Sequence, residues 1–188
     1  KGIFAGAARV FTLQQALVAW MRFKAEGDAQ LLAQPSVFGE EFGVGLVCDR
    51  AGSMIGALPL KKLVMCERGK TWGAIPVALS QAVTDLGDML KKVGWVGPAD
   101  VEFIRDSMTD RLEMIEINPR FPAWVGFCGL IDVNLPRQAV LAAMERNPVP
   151  VGVEDLVQGV VFMRTAEEIP AAASTMAALV NRGEIVYG

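Results

Sequence analysis

Histidine is absent from this chain of 188 residues, and cysteine and tyrosine are scarce, with three copies and one copy. Without an imidazole, the chain cannot build a serine–histidine triad or a histidine general base, and most zinc and haem sites are excluded as well. The cysteines are odd in number and widely spaced, which fits neither a disulfide framework nor paired zinc ligands. We therefore expect a protein of a reducing cytoplasm whose chemistry uses carboxylates, amines, guanidinium groups and bound cofactors.

Long apolar runs and an excess of positive charge are also missing. The longest apolar run, about residues 123–131, contains glycine and is shorter than the roughly 20 residues that cross a bilayer. The net charge of −3 and the dispersed Lys and Arg residues offer no basic surface to a phosphate backbone. We expect a soluble protein without membrane or nucleic-acid partners. The opening Lys1-Gly2, without an initiator Met or an apolar leader, suggests a piece of a longer protein.

The hydrophobic and turn patterns predict strands mixed with helices around one core. Thr12 and Gln15 form a capping-box signature for a helix that Gly27 ends. Residues 49–52 supply turn chemistry between two strands. Hairpins without a regular βαβ alternation favour an α+β fold. We predict strands at 31–37, 42–48, 54–60, 100–106, 112–118 and 159–164, further helices at 77–93, 136–146 and 170–181, and a loop at 68–73.

The strongest functional signal lies in the hairpin formed by residues 100–106 and 112–118. If Val101 pairs with Ile117, then Glu102 lies directly opposite Glu116, and Asn118 follows on the Glu116 face. Two carboxylates therefore face each other on neighbouring strands. The same register pairs Phe103 with Ile115, Ile104 with Met114 and Arg105 with Glu113.

This carboxylate pair predicts a cation site. Like charges directly opposed on neighbouring strands are destabilising, so such a pair needs protonation, a basic partner or a cation. Oxygen ligands from Glu102, Glu116 and the Asn118 amide suit a hard cation such as Mg²⁺, with Mn²⁺ as an alternative. Mg²⁺ usually completes its shell with water and substrate phosphates, so the site also predicts a phosphate-bearing ligand. The alternative interpretation is a solvated acidic face on which Asn118 only starts a turn.

The segment Glu116-Ile117-Asn118-Pro119-Arg120, preceded by Val101-Glu102-Phe103, resembles the metal-binding signature of the ATP-grasp superfamily. This superfamily includes carbamoyl-phosphate synthase, biotin carboxylase and D-alanine–D-alanine ligase, and the resemblance extends over about residues 1–144. It implies an α+β ATP-grasp fold, mainly the large carboxyl-terminal subdomain with an antiparallel sheet and packed helices. The implied division is a remnant of the small lid subdomain at 1–33, a nucleotide- and metal-binding subdomain at 34–147, and an extension at 148–188 that packs on the core.

The resemblance also implies roles for the acidic motif. Glu102, Glu116 and Asn118 match the ligands of the magnesium ions that bridge the ATP phosphates. Arg120 matches an arginine near the transferred phosphate or the acyl substrate, where its planar fork suits oxyanions. Its alternative role is a surface salt bridge.

Two further matches each have a neighbouring rival. Lys62 matches a lysine near the reacting phosphate, and Lys61 is its rival because alternating strand faces let only one of them point inward. Glu41 matches the acid that accepts hydrogen bonds from the ribose hydroxyls, and Glu40 is its rival. Any of these four side chains could instead be a solvated surface group.

The remaining matches concern the adenine and the lid. Residues 34–37 resemble the hinge that contacts adenine through backbone groups, with Gln34 and Val37 as the contacts, although many relatives have glutamate at Gln34. Lys1 matches a lysine of the lid that touches the nucleotide phosphates. Residues 2–8 match the glycine-containing loop that folds over them.

These matches imply a ligase that transfers the γ-phosphoryl group of ATP to a carboxylate, with an amine or similar nucleophile capturing the acyl phosphate. Lys62 and Arg120 would be the catalytic residues, ATP and Mg²⁺ the cofactors, and small-molecule carboxylates and amines the partners, with a homo-oligomer allowed. Relatives carry a substrate domain and more of the lid ahead of the position of Lys1, so the chain alone is not expected to be a complete catalyst. A regulatory nucleotide-binding domain and a structural or assembly domain are the alternatives.

Overall fold

The computed structural model describes residues 8–27, 30–66, 70–146 and 159–165. Lys1, the predicted helix at 170–181 and most of the predicted extension from 148 lie outside the described residues. The elements are α1 (Leu13–Ala25), β1 (Gly39–Cys48), β2 (Met54–Met65), β3 (Thr71–Pro76), α2 (Ser80–Lys92), β4 (Gly97–Asp106), β5 (Leu112–Asn118), α3 (Val125–Leu130), α4 (Leu135–Ala143) and β6 (Phe162–Met163).

The described strands form one antiparallel sheet with the order β5-β4-β1-β2-β3-β6. Helix α2 covers one face through Leu86 and Leu90, which pack with the β1 and β4 side chains Val44 and Val101. Helices α3 and α4 cover part of the other face. Burying one such aliphatic side chain contributes about 1.5–3 kcal/mol to folding. The α+β prediction is therefore confirmed. The helices of the described residues are all too short or too polar to span a bilayer.

Two local predictions are confirmed by hydrogen bonds. The Thr12 hydroxyl accepts a hydrogen bond from the Gln15 backbone N–H at 3.2 Å and begins α1. The Gln15 side chain caps the backbone N–H of Phe11, one residue before the position that a regular capping box uses. In the turn between β1 and β2, Asp49 Oδ1 accepts from Ser53 N at 2.8 Å, as a short turn that begins with Asp and contains Gly predicts.

Two predicted elements are wrong or incomplete, and one helix was not predicted. Residues 31–37 form no strand; Leu31 and Leu32, whose side chains suggested one, are exposed, and Pro35 cannot donate to a ladder. The predicted loop at 68–73 becomes strand β3 from Thr71 onward. Helix α3 lies in the apolar run near residue 125, where no helix was predicted.

The register of the acidic hairpin is confirmed at one end and wrong at the other. Val101 pairs with Ile117, and Glu102 pairs with Glu116, as predicted. A β-bulge then shifts the pairing by one residue, because Ile115 has no partner of its own in the ladder. The structure pairs Phe103 with Met114, Ile104 with Glu113 and Arg105 with Leu112.

Two buried thiols are expected to make the fold less stable at alkaline pH. Burial, joined by the charge of Asp49, raises the pKa of Cys48 from 9.0 to about 11, and burial raises that of Cys128 from 9.0 to about 12. A raised folded pKa means that each thiol's stabilising contribution is complete below pH 9 and is lost as the pH rises through the folded pKa. We expect each thiol to account for roughly 2 kcal/mol of lost unfolding free energy by pH 11.

Urea unfolding of the chain at pH 8 and pH 11 measures this loss. The double variant Cys48→Ala, Cys128→Ala is the matched control, since it keeps every lysine and the single tyrosine. The variant should lose distinctly less stability than the wild type over the same pH interval. An equal loss in both proteins would remove the thiols as the cause.

Candidate functional site

Charged side chains from four strands converge on the sheet face that also carries α3 and α4. The β1 residue Gly43 pairs with Leu60 of β2 and with Glu102 of β4, and Glu102 pairs in turn with Glu116 of β5. Side chains alternate between faces, so Lys62, two residues beyond Leu60, points to the same side. This row of paired residues places the cluster on the sheet face against which Trp124, the residue before α3, packs.

Lys62 is the centre of the cluster. Its side chain is only 3% exposed, and its ammonium donates to Glu102 at 2.9 Å and to Glu41 at 3.3 Å. Burial alone would lower the pKa of Lys62, but the hydrogen bonds and charges of Glu102 and Glu41 outweigh it and raise the pKa above 10.5. The Lys62 ammonium is therefore charged at neutral pH.

The two sequence rivals lie on the opposite face. Lys61 forms an ion pair there with Glu40, and the Glu40 side chain is more than half exposed. The expectation that only one of the two lysines points inward is confirmed, and the inward one is Lys62. The same alternation puts Glu41 beside Lys62 and removes Glu40 from the cluster.

The proposed metal ligands lie at the β5 side of the cluster. Glu102 and Glu116 are directly paired, and the Asn118 amide N–H donates to Glu116 Oε1 at 2.8 Å. This bond uses the amide nitrogen and leaves the Asn118 carbonyl oxygen free of it. Among the described residues, no group of three or more His, Cys, Asp and Glu side chains could hold a metal ion. Two facing carboxylates and an amide oxygen nevertheless match the hard oxygen donors that Mg²⁺ takes, so the residues present fit the ion.

Arg120 is held at the edge of this cluster by an acid that the sequence analysis missed. Its guanidinium donates to Asp100 Oδ2 at 3.0 Å and to the Phe121 carbonyl at 3.1 Å. Asp100 is 5% exposed and pairs with Asn118. Burial raises the pKa of Asp100, and Glu102 adds to the shift while Arg120 opposes it. The signal in the sequence was the two-residue spacing of Asp100 and Glu102, which puts both on one strand face.

Several solved structures match this chain. The biotin carboxylase domain of a thermophilic 2-oxoglutarate carboxylase bound to bicarbonate has a TM-score of 0.58 and 18% identity over 80% of this chain and 36% of its own. The same domain from Hydrogenobacter thermophilus, a dimer with MgADP and bicarbonate, gives 0.56 and 19% over 76% and 34%. Phosphoribosylglycinamide synthetase from Anaerococcus prevotii gives 0.51 and 14% over 73% and 37%. This chain has the ATP-grasp fold.

The match covers little more than a third of these ATP-grasp structures. No protein-family model and no curated protein sequence matches the chain. At identities of 14–19%, the shared feature is the fold. The evidence for the roles of individual residues therefore has to come from the geometry of the cluster.

The ring of Trp124 packs against one side of the cluster in this ATP-grasp sheet. Trp124 is 6% exposed, and its ring packs over the two glycines of β1 that face it, Gly43 and Gly45. A methyl group at Gly45 would lie 2.8 Å from the Trp124 ring and 2.9 Å from Pro122. The sequence analysis gave Trp124 no role, although alternate glycines on a strand commonly mark the close approach of another group.

The structure describes only part of the segments that were matched to the adenine and lid contacts. Gln34 and Val37 lie in the irregular segment that leads into β1, Gln34 exposed and Val37 half-buried. Within the described residues, no hydrogen bond or ion pair joins either of them to Lys62. Lys1 and most of the 2–8 loop fall outside those residues.

Proposed function

We propose that this chain is the ATP- and magnesium-binding part of a ligase that uses ATP to activate a carboxylate for attack by an amine or a similar nucleophile. The observation that carries the proposal is the convergence of Glu102, Glu116, Asn118 and Lys62 on one face of an ATP-grasp sheet. The Hydrogenobacter structure of the same fold, solved with MgADP and bicarbonate, supports this choice of ligands.

Glu102, Glu116 and Asn118 would hold Mg²⁺, with Mn²⁺ as an alternative. When bound there, the ion would neutralise the negative charge of the nucleotide phosphates. Asn118 already donates an N–H to Glu116, which orients that carboxylate before any ligand arrives.

Lys62 and Arg120 would position the reacting groups. Phosphoryl transfer moves the γ-phosphoryl group from ATP to a carboxylate oxygen and releases ADP; the nucleophile then attacks the acyl carbon of the acyl phosphate and displaces inorganic phosphate. Such transfer needs positioning and charge stabilisation rather than a protein nucleophile. Lys62 supplies a compact positive charge beside Glu102, whereas Arg120, fixed by Asp100, supplies a planar fork for an oxyanion.

Adenine and ribose would bind on the β1 side. The backbone groups of Gln34 and Val37 would contact adenine, and Glu41 would accept from the ribose hydroxyls. Glu41 has acceptor sites left after its contact with Lys62, since an ionised carboxylate offers about four. Lys1 and the adjoining loop would contact the phosphates.

We infer a cytoplasmic enzyme in which residues 1–33 are a lid remnant, residues 34–147 bind nucleotide and metal, and residues 148–188 pack on the core. Turnover would require the intact protein, because this chain spans only about a third of the length of the solved structures that it matches. Assembly into a homo-oligomer is compatible with this function.

ADP release by the intact protein, measured with ATP, Mg²⁺ and a panel of small carboxylic acids and amines, tests the function. We expect release that requires both Mg²⁺ and one acid. Tight ATP binding without ADP release for any substrate pair would favour a regulatory nucleotide-binding domain. The absence of any Mg²⁺-dependent ATP binding would favour a structural or assembly role.

A further inference from the structure

Lys62 contacts two acids that the proposed function assigns to different ligands. Its ammonium lies 2.9 Å from Glu102, a proposed metal ligand, and 3.3 Å from Glu41, the proposed ribose acid. With a side chain only 3% exposed, Lys62 has little water to replace these contacts. The ammonium therefore depends on the two carboxylates for its counter-charge.

A metal ion and this ammonium compete for Glu102. Both are cations that bind the same carboxylate, and two positive charges on one carboxylate repel each other. Glu116, on the next strand, has no such ion pair in the described residues and is exposed. Of the two proposed carboxylate ligands, Glu102 is thus the one whose availability depends on Lys62.

The surroundings let the lysine side chain move while its strand stays fixed. Lys62 pairs with Ala74 of β3, and its neighbour Lys61 pairs with Phe42 of β1, so the backbone of β2 is held on both sides. Beside the stem lies Gly43, where even an added methyl group would sit 3.9 Å from Lys62 Cε. A lysine ammonium on four flexible carbons can therefore change partner without breaking the sheet.

We propose that Lys62 is a resident counter-ion that couples nucleotide binding to metal binding. Without nucleotide its ammonium neutralises Glu102 and keeps divalent cations weakly bound; the phosphates of a nucleotide draw the ammonium away and free Glu102 for the metal. This inference rests on the proposed function and adds an order of binding to it, with the nucleotide preparing the site for the metal. Because such coupling is reciprocal, the metal raises nucleotide affinity by the same factor as the nucleotide raises metal affinity.

Mn²⁺ binding, followed by electron paramagnetic resonance with and without ADP, tests the coupling in the intact protein. In the wild type, we expect weak Mn²⁺ binding that ADP strengthens by roughly tenfold or more, the lower range of coupling between two sites. Lys62→Met should bind Mn²⁺ without ADP about tenfold more tightly than the wild type, and the ADP effect should shrink. Lys61→Met, on the other face, is the matched control and should behave as the wild type.

Different results would overturn the counter-ion role of Lys62 and the proposed function. If the wild type binds Mn²⁺ and ADP together but Lys62→Met has wild-type Mn²⁺ affinity without ADP, the counter-ion role is overturned and the proposed function stands. If the wild type binds no Mn²⁺ with ADP, the proposed function itself fails, and this inference fails with it. Lys62→Gln, which keeps a hydrogen-bond donor between the two acids, takes the place of Lys62→Met if that variant does not fold.

Discussion

Glu116→Gln is expected to lower ATP turnover by the intact protein roughly 100-fold or more, the usual cost of removing one group that stabilises charge in the transition state. Glutamine keeps the size of the side chain and its contact with Asn118 but removes the negative charge that would hold Mg²⁺ together with Glu102. Because Glu116 is exposed, the substitution should leave folding unchanged. The loss should therefore appear in catalysis and not in stability.

Glu40→Gln is the control for this result. Glu40 lies on the other face, paired with Lys61, and undergoes the same change of charge. Steady-state ADP release at several Mg²⁺ concentrations should give a wild-type response for Glu40→Gln and a higher Mg²⁺ requirement for Glu116→Gln. Full activity of Glu116→Gln at low Mg²⁺ would remove Glu116 from the metal site.

Gly45→Ala should reduce the free energy of unfolding by about 1–3 kcal/mol, the range typical of overpacked cores. The new methyl group would lie 2.8 Å from the Trp124 ring and 2.9 Å from Pro122, closer than real contacts allow. Both neighbours are rings with little freedom to move, and both are buried. The Trp124 and Pro122 rings would therefore have to move away from the sheet. Since Pro122 and Trp124 follow Arg120 closely in the chain, nucleotide binding should weaken as well.

Gly43→Ala, two residues earlier on the same strand face, gives the comparison. An added methyl group there meets its neighbours at 3.9 Å, an ordinary contact. Chemical denaturation of both variants should place Gly43→Ala close to the wild type and Gly45→Ala well below it. Equal stability of the two variants would contradict the packing of Trp124 on β1.

The features that could be predicted from sequence are those set by short-range periodicity. The pairing of Glu102 with Glu116 follows from period-two alternation once Val101 and Ile117 are placed on the buried face. The expectation that only one of Lys61 and Lys62 points inward follows from the same rule, because adjacent strand residues point to opposite faces, whereas the preference for Lys62 came from the resemblance. The acidic motif and the α+β class were accessible for this reason.

The features that could not be predicted depend on long-range contacts or on one extra residue. The bulge at Ile115 leaves no local signature, since the residues around it alternate acceptably in either register. Contact between Lys62 and Glu102 passes over Gly43 of β1, which only the strand order makes evident. The Asp100–Arg120 ion pair was not predicted because only Glu102 and Glu116 were considered as the functional acids of this hairpin.

The most direct test of the metal site is a crystal structure of the intact protein with Mn²⁺ and a non-hydrolysable ATP analogue, in which anomalous scattering locates the ion. We predict one Mn²⁺ peak between the carboxylates of Glu102 and Glu116, in contact with nucleotide phosphate oxygens, and Lys62 turned from Glu102 towards the phosphates. A nucleotide bound elsewhere, or Mn²⁺ absent from this pair while the nucleotide is present, would contradict the account.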